Sequence, residues 1–273
     1  MKTLYVSDLD GTLLRSDQRT SDHTNKVIND FVSRGGLFSY ATARSNYTAS
    51  KVTQGMSASF PLIVYNGVFI LDNQSAEIIN KTTFEHEEAV SVLKELQNGG
   101  VHPIVYSLIN GKERFSYIPS QLNIATKEFV ESRNDLRKRP VDSFEELNYG
   151  ELFYITCIDE PEKLEPFYNA YKDRFHCFYQ RDIYSGEQWL EIIPRDASKA
   201  NAIKTLSKLL RCEKIVVFGD AINDMDMFAI ADEAYAVGNA APELKKRATA
   251  VIGTNDEDGV AKWLSDNAQA DCN

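Results

Sequence analysis

Apolar runs of strand length alternate with helical patterns of apolar positions along most of the chain. The first run, residues 4–7, is followed by a helix predicted over residues 24–34, with Ile28 and Phe31 on one face, and then by a strand at residues 37–41. Strands that alternate with helices favour an α/β fold built on a largely parallel sheet. We therefore predict an α/β architecture for this part of the chain.

A β-hairpin is predicted next, because two apolar runs at residues 62–65 and 68–71 flank the dipeptide Asn66-Gly67. The dipeptide is expected to form the turn, and contact of Asn66 or Gly67 with a substrate is the alternative. The alternating pattern returns only after Pro194. There the predicted elements are helices at residues 198–210 and 225–231 and strands at residues 215–218, 234–237 and 250–252.

From about residue 84 the regular alternation of strands and helices is lost, which predicts a second domain inserted into the first. Short strands and helices follow one another as a self-contained α+β set. The predicted helices cover residues 87–97, 121–132 and 161–172, and the predicted strands cover residues 101–107, 114–118, 152–158, 175–180 and 188–193. The predicted domain limits are residues 1–83 and 189–273 for the core and residues 84–188 for the inserted domain.

Composition and charge restrict the classes of function. The 273 residues carry a formal net charge of -10 without an offsetting basic block, which disfavours nucleic acid and anionic membrane surfaces, so neither is expected as a partner. No stretch approaches the roughly 20 apolar residues of a membrane span, and the first residues run into a strand without a signal-peptide pattern. The cysteines and histidines are scattered, with no spacing typical of metal or redox sites. A cytoplasmic protein with buried or incidental thiols is predicted.

Two carboxylates, Asp8 and Asp10, close the first apolar strand. If the strand continued through Asp10, both side chains would lie on one face, because side chains alternate along a strand. Two anions at about 4 Å repel by roughly 1 kcal/mol in water and about 4 kcal/mol at an effective dielectric near 20. A bound divalent cation would compensate this repulsion. A polar turn after an edge strand is the alternative, since Asp and Gly are common turn residues.

Two further polar clusters lie at predicted element boundaries, where open α/β sheets place ligands. Thr42, Ala43 and Arg44 follow the second strand, and a hydroxyl with backbone N–H groups there can hold the oxygens of an anion. Capping of the next helix by Thr42 or Ser45 is the alternative. Lys199 lies in the first turn of a predicted helix, where the helix dipole disfavours a cation, so an anion is expected beside it.

A second acidic strand end follows residues 215–218, where a glycine precedes Asp220, Asn223 and Asp224. It repeats the design of the first acidic strand end. Carboxylates at two strand ends are difficult to explain by structure alone, so they strengthen the prediction of a cation site.

Together these motifs resemble the haloacid dehalogenase superfamily of phosphatases, and within it the Cof-type sugar phosphatases with a large cap between the second and third motifs. The resemblance covers nearly the whole chain. Its motifs are DLDGT at residues 8–12, ATAR at 41–44, YNG at 65–67, IIP at 192–194 leading to SK at 198–199, GDAIND at 219–224, VGNA at 237–240 and DGVA at 258–261. Each is common alone, but all in this order are highly specific. Ala43 departs from the pattern, which usually has glycine; alanine restricts the backbone but keeps its N–H.

The resemblance implies a Rossmann-like parallel-sheet core with an inserted α+β cap, and it implies catalytic roles. Asp8 would attack phosphorus to form an aspartyl-phosphate, and Asp10 would protonate the leaving alcohol and then activate water. Mg²⁺ would be held by Asp8, the backbone carbonyl of Asp10 and Asp220. Asp224 would complete the metal site, and Asn223 the phosphate site.

The resemblance also implies that Thr42, the N–H of Ala43 and Lys199 bind the transferring phosphoryl oxygens. Asp224 has three alternative roles: direct contact with the metal, contact through water, or orientation of Lys199. Arg44 either contacts the substrate or holds its helix through a salt bridge.

The implied activity is Mg²⁺-dependent hydrolysis of phosphate monoesters of small metabolites, sugar phosphates first, with flavin or pyridoxal phosphates as alternatives. The cap would close over the site, exclude water and read the leaving group. Its aromatic residues are expected to be core residues more often than substrate contacts. Those that would line a sugar-sized cleft are Tyr106, Tyr117, Tyr179, Tyr184 and Trp189.

Three other functions are compatible with parts of the pattern. A phosphohexomutase of the phosphomannomutase kind shares the Asp-x-Asp start, and a binding protein would keep the phosphosugar site without turnover. A phospho-signalling receiver also has an aspartate and a lysine, but the chain length and the large insertion argue against it. No exposed apolar stripe in the sequence indicates an interface, so the sequence leaves the oligomeric state open.

Overall fold

A computed structural model describes residues 1–133, 135–181 and 186–268 of the chain. They divide into two compact units, one made of Met1–Lys81 and Ser198–Asn273 and the other of Thr82–Ala197. Each unit has its own sheet. None of the described helices is long and apolar enough to cross a membrane.

The strands are numbered along the chain. They are β1 (Thr3–Asp8), β2 (Leu37–Ala41), β3 (Pro61–Val64), β4 (Phe69–Asp72), β5 (Ile78–Lys81), β6 (Ile104–Ile109), β7 (Lys112–Tyr117), β8 (Lys138–Pro140), β9 (Glu151–Asp159), β10 (His176–Arg181), β11 (Gln188–Ile193), β12 (Lys214–Gly219), β13 (Glu233–Ala236) and β14 (Ala250–Val251).

The α-helices are numbered in the same way. They are α1 (Asp22–Ser33), α2 (Asn46–Val52), α3 (His86–Asn98), α4 (Ile124–Glu131), α5 (Phe144–Leu147), α6 (Pro161–Tyr171), α7 (Lys199–Leu210), α8 (Met225–Ile230), α9 (Pro242–Lys245) and α10 (Gly259–Asn267).

The sheet of the first unit contains eight of the described strands, in the order β14-β13-β12-β1-β2-β3-β4-β5. The pairs from β14 to β3 are parallel, and the pairs β3-β4 and β4-β5 are antiparallel. The largely parallel α/β sheet predicted from the sequence is confirmed. Because β1 lies between β12 and β2, the loops that leave these three strands are neighbours at one edge of the sheet, where such folds bind ligands.

The continuous apolar run of β1 follows from its central position, because a parallel strand is covered on both faces. Leu4 and Val6 are fully buried. On the other face, Tyr5 packs edge-on against Phe31 of α1 and contacts the ring of Trp263 of α10. This packing fixes the strand that carries Asp8 at its end.

The predicted hairpin is confirmed, since β3 and β4 pair antiparallel with Leu62 opposite Leu71. Its connection, Tyr65–Gly67, is a tight turn in which all three residues have positive φ angles. Asn and Gly tolerate such angles better than other residues do.

The second unit contains a sheet of six described strands in the order β10-β11-β9-β6-β7-β8. Helices α3 and α6 pack on one face, where Leu93 and Leu164 join the buried core with Ile155 and Leu190. Strand β11 pairs with β9 and β10. It therefore belongs to this unit, whereas the predicted limit at residue 189 placed most of it in the core, because a sequence does not reveal which strands a segment will pair with.

The cap aromatics differ in their surroundings. Tyr106 and Tyr117 are buried. Tyr179 stacks on Tyr168 at the face of the sheet that α3 and α6 cover. Trp189 meets Phe129 of α4 edge-on. The remaining one, Tyr184, lies outside the described residues, as does Cys272.

Candidate active site

The two acidic strand ends meet at one edge of the first unit's sheet. Asp8 is the last residue of β1, and Asp220 follows directly after the neighbouring strand β12. One carboxylate oxygen from each of Asp8, Asp220 and Asp224 lies within 4.8 Å of the other two. Asp8 is 5% exposed and Asp224 is fully buried. Three carboxylates are therefore concentrated here, two of them buried and Asp220 partly buried.

Lys199 supplies positive charge to this group. It is the first residue of α7, whose N-terminus is capped by the side chain of Ser198, and it is 5% exposed. Its Nζ donates to Oδ1 of Asp8 at 2.5 Å and to Oδ1 of Asp224 at 2.8 Å. The anion expected beside Lys199 is thus present as two carboxylates, and Asp224 orients Lys199, which is one of the three roles that the sequence left open.

Burial and mutual repulsion perturb the proton affinities of these groups. Burial, followed by the charge of Asp224, raises the pKa of Asp8 well above its ordinary value, although Lys199 opposes the change. Burial also raises the pKa of Asp220 to about 6. Burial alone would lower the pKa of Lys199, but the charges of Asp8 and Asp224 outweigh it and hold the pKa above its ordinary value.

The donor set fits a hard divalent cation. The carboxylates of Asp8, Asp220 and Asp224 carry three negative charges against the single ammonium of Lys199. Mg²⁺ prefers oxygen ligands and is usually bound through one or two carboxylates. A cation here would relieve the repulsion that, after burial, contributes to the raised pKa values of Asp8 and Asp220.

Thr12 links the two acidic loops and was not among the predicted site residues. Its hydroxyl donates to Oδ1 of Asp220 at 2.9 Å, and the residue is 1% exposed. The neighbouring Gly11 has a φ of +77°, and a Cβ there would lie 2.5 Å from Oδ2 of Asp220. The Gly-Thr break after the first acidic pair was the sequence signal for this contact, because it allows Asp220 to approach the turn.

The first strand does not continue through Asp10, so the strand alternation that would place Asp8 and Asp10 on one face does not apply. Strand β1 ends at Asp8, and the chain enters a helical turn, Leu9–Leu13, in which Asp10 and Gly11 have non-helical dihedral angles. The side chain of Asp10 is 50% exposed. Its carboxylate accepts from Arg44, whose Nε lies 2.9 Å from Oδ2. The metal contact implied for Asp10 is through its backbone carbonyl and stays a prediction.

The loop after β2 is fixed by Thr42. Its hydroxyl accepts from the backbone N–H of Arg44 at 3.1 Å, and Thr42 is 1% exposed. The cap of α2 is Ser45, which accepts from the N–H of Thr48. Of the two predicted capping residues, Ser45 therefore has this role. Ala43 is exposed on the loop, and the phosphate contacts predicted for Thr42 and Ala43 stay predictions.

The turn of the hairpin is packed between this loop and α7. The N–H of Asn66 donates to the carbonyl of Thr42 at 2.9 Å, and Asn66 is 4% exposed. A Cβ on Gly67 would lie 2.1 Å from the carbonyl oxygen of Ser198, the residue before Lys199. The two residues thus have a structural role as a turn, and substrate contact by either stays a prediction.

Asn223 and Asp224 belong to one short turn, Ile222–Asp224. The buried Asp224 accepts from the N–H groups of Asp220 and Ala221 with its Oδ2, at 3.1 and 3.2 Å. Asn223 is exposed. Its predicted contact with phosphate stays a prediction.

Comparison with known proteins identifies the class to which this fold and site belong. The sequence profile of the haloacid dehalogenase-like hydrolases matches residues 5–264. The chain belongs to this family, as its motifs predicted.

Two curated relatives from Bacillus subtilis carry the name 5-amino-6-(5-phospho-D-ribitylamino)uracil phosphatase. YwtE is 26% identical, with 97% of each chain covered, and YitU is 27% identical, with 96% of each chain covered. The solved structure of TM0651 from Thermotoga maritima is similar over 100% of this chain and 99% of its own, with a TM-score of 0.80 and 26% identity. A haloacid dehalogenase-like hydrolase from B. subtilis has a TM-score of 0.74 at 25% identity over 97% of this chain and 99% of its own. The family and these names support a phosphoric monoester hydrolase.

Proposed function

We propose that this protein is a Mg²⁺-dependent phosphatase that hydrolyses phosphate monoesters of small metabolites, sugar phosphates first, through an aspartyl-phosphate on Asp8. The observation that supports this most is the position of Asp8. Its buried carboxylate contacts Lys199, and one of its oxygens lies within 4.8 Å of one carboxylate oxygen each of Asp220 and Asp224. A nucleophile in such a group is held in place and can share a cation with its neighbours.

The site residues divide between the cation and the phosphoryl group. Asp8, Asp220 and the backbone carbonyl of Asp10 would hold Mg²⁺, with Asp224 beside them. The ion, when bound, would neutralise charge so that an anionic carboxylate can approach a phosphate dianion. Lys199 would bind a phosphoryl oxygen, and its contacts with Asp8 and Asp224 keep the ammonium at the required place.

Two displacements at phosphorus would complete the reaction. In the first, an oxygen of Asp8 forms a bond to phosphorus while the ester P–O bond breaks and Asp10 gives a proton to the leaving oxygen. In the second, Asp10 takes a proton from water, the water oxygen bonds to phosphorus, and the bond to Asp8 breaks. Thr42, the N–H of Ala43 and Asn223 would bind the phosphoryl oxygens, since phosphoryl transfer depends mainly on positioning and charge stabilisation.

For the substrate we propose a small phosphorylated metabolite that carries a sugar or a polyol chain. The names of YwtE and YitU, which specify a phospho-D-ribitylamino compound, support this class. Flavin and pyridoxal phosphates are the alternative substrates, and the phosphate-release assay described next includes them. We propose that the second unit, Thr82–Ala197, is the cap that reads the leaving group. A cytoplasmic location agrees with the scattered cysteines and the absence of a paired spacing.

The test is phosphate release from a chromogenic aryl phosphate and a panel of hexose, pentose, ribityl, flavin and pyridoxal phosphates, with Mg²⁺ or with chelator. The wild type is compared with Asp8→Asn and with Asp30→Asn, which alters an exposed carboxylate of α1. We expect Mg²⁺-dependent release that falls to background only in Asp8→Asn. If Asp8→Asn releases phosphate as fast as the wild type does, Asp8 is not the nucleophile. Phosphoryl transfer to a second sugar phosphate instead of water would indicate the mutase, and binding without release would indicate the non-catalytic alternative.

A further inference from the structure

The turn after β1 has carbonyl groups that are satisfied from distant parts of the chain. Asp10 and Gly11 interrupt the helical dihedral angles of the turn Leu9–Leu13. The carbonyl of Gly11 accepts from Nδ2 of Asn239 at 2.7 Å, and the carbonyl of Leu14 accepts from Nδ2 of Asn255 at 2.9 Å. The two amides thus satisfy one carbonyl within the turn and one directly after it, where the backbone is extended.

The two asparagines are joined to each other. Oδ1 of Asn239 accepts from the backbone N–H of Asn255 at 3.0 Å. This bond determines the orientation of the Asn239 amide, because a flipped amide would direct its NH₂ at an N–H group. The side chain therefore presents its donor to Gly11. Asn239 is largely exposed, yet both ends of its amide are bound to protein.

The same segment also holds the second acidic loop. The N–H of Ala241 donates to the carbonyl of Asp220 at 2.7 Å. Residues 239–241 thus contact the backbone of the loop after β1 and that of the loop after β12. These two loops carry carboxylates that repel each other, so their spacing depends on such external contacts.

We infer that Asn239 and Asn255 are positioning residues for the reaction, because together they hold the turn that carries Asp10 and directly follows Asp8 at a set distance from Asp220. The inference rests on the proposed function, since it assigns these residues to the same site. Neither side chain is required to touch the substrate. Displacement of a reacting group by about 1 Å can lower a rate by about 10²-fold, so loss of this support should lower kcat rather than weaken substrate binding.

The exposed Asn239 offers the cleaner test, since its replacement leaves the core intact. Asn239→Leu removes both bonds without adding charge, and Asn239→Asp keeps the acceptor but loses the donor. Asn267→Leu and Asn267→Asp are matched controls, because Asn267 is an exposed asparagine whose Nδ2 donates to the carbonyl of Trp263 at the end of α10. For each variant, kcat, KM, the Mg²⁺ dissociation constant and the melting temperature are measured with the full chain and an aryl phosphate.

We expect kcat to fall at least tenfold in both Asn239 variants, with KM within threefold of the wild type and melting temperatures within a few degrees. Mg²⁺ should bind about tenfold more weakly, because the turn would supply one of its ligands, the carbonyl of Asp10, and directly follows another, Asp8. The Asn267 variants should match the wild type. Asn239 variants whose kcat stays within twofold of the wild type, or falls only in proportion to the folded fraction, would overturn the inference.

A double variant tests whether the two asparagines act as one unit. Asn255→Asp removes the donor to Leu14, and when it is combined with Asn239→Leu the loss should be little larger than that of the more damaging single change. If the fold-loss of kcat in the double variant equals the product of the two single losses, the two asparagines act independently, which would overturn the inference that they form one unit. An inactive wild type contradicts the proposed function alone if Asn239→Leu still weakens Mg²⁺ binding. A wild type that neither turns over nor binds Mg²⁺ overturns both.

Discussion

The guanidinium of Arg44 contacts both oxygens of the Asp10 carboxylate. Nε of Arg44 lies 3.0 Å from Oδ1 and 2.9 Å from Oδ2, and Nη2 lies 2.5 Å from Oδ1. The side chain of Arg44 is 23% exposed and that of Asp10 is 50% exposed. Arg44 lies in the loop before α2, so its salt bridge does not hold a helix as the sequence suggested but contacts Asp10, the residue proposed as general acid and base. Contact of Arg44 with a substrate stays a prediction.

The first prediction concerns this pair. Arg44→Met should lower kcat about tenfold for a sugar phosphate, because Asp10 loses the contacts that orient it. The loss should be smaller for an aryl phosphate, whose leaving group departs without a proton. Steady-state kinetics on both esters measure the difference, with Arg34→Met, an exposed arginine at the end of α1, as the control. Equal losses on the two esters would show that Arg44 does not act through Asp10.

The second prediction concerns the hairpin turn. Gly67→Ala should lower the free energy of unfolding by about 3 kcal/mol, because the new Cβ would lie 2.1 Å from the carbonyl oxygen of Ser198 and φ is +99°. Activity should also fall, since Ser198 precedes Lys199. Denaturant unfolding measures the change.

The control for that prediction is Gly100→Ala, because Gly100 has a φ of +73° but open space around its Cβ position. Gly100→Ala should lower the free energy of unfolding only by the backbone strain of a left-handed alanine, about 1 kcal/mol. If both variants lose the same stability, the close approach to Ser198 contributes nothing.

The third prediction concerns the metal. Mg²⁺ should raise the stability of the wild type, by about 2.7 kcal/mol at 100 times its dissociation constant, because it binds the folded site and not the unfolded chain. Asp220→Asn should lose most of this gain, whereas Asp30→Asn should keep it. Melting curves with Mg²⁺ and with chelator measure the effect. An equal gain in Asp220→Asn would place the binding site elsewhere.

The fourth prediction concerns a carboxyl group of the second unit. Burial raises the pKa of Glu191 to about 7, although a hydrogen bond from Tyr154 opposes the change. The folded state therefore keeps this proton up to about pH 7, while the unfolded chain loses it near about pH 4.3, so stability falls as pH rises between these values.

Glu191→Gln removes the cost of burying an ionised carboxylate in the folded state. The variant should be more stable than the wild type by about 1 kcal/mol at pH 8, where Glu191 is ionised in both the folded and the unfolded protein. It should give no such gain below about pH 4. Unfolding experiments at the two pH values measure the difference. A gain of the same size at both would show that the effect is unrelated to ionisation of Glu191.

The residue pattern was sufficient for much of the fold and part of the site. The parallel sheet, the hairpin at Asn66-Gly67 and helix α7 were all predicted, because each depends on local periodicity or turn chemistry. The elements β5, β8, α2, α5, α9 and α10 were not predicted. The first five have three to seven residues, too few for a period to be distinguished, whereas α10 has nine residues and was missed.

By itself, the sequence determined which residues carry charge at the ends of β1 and β12 and at the start of α7, and so it predicted an anion beside Lys199 and a cation site at the acidic strand ends. Only the tertiary structure decided where each carboxylate lies. Strand alternation would place Asp10 beside Asp8 only if the strand continued, but the chain turns after Asp8, and contacts from Asn239 and Asn255 hold that turn. Thr12, which joins the acidic loops, likewise has its partner 208 positions away. A contact between distant segments depends on how the sheet orders its strands, and local sequence patterns do not contain that order.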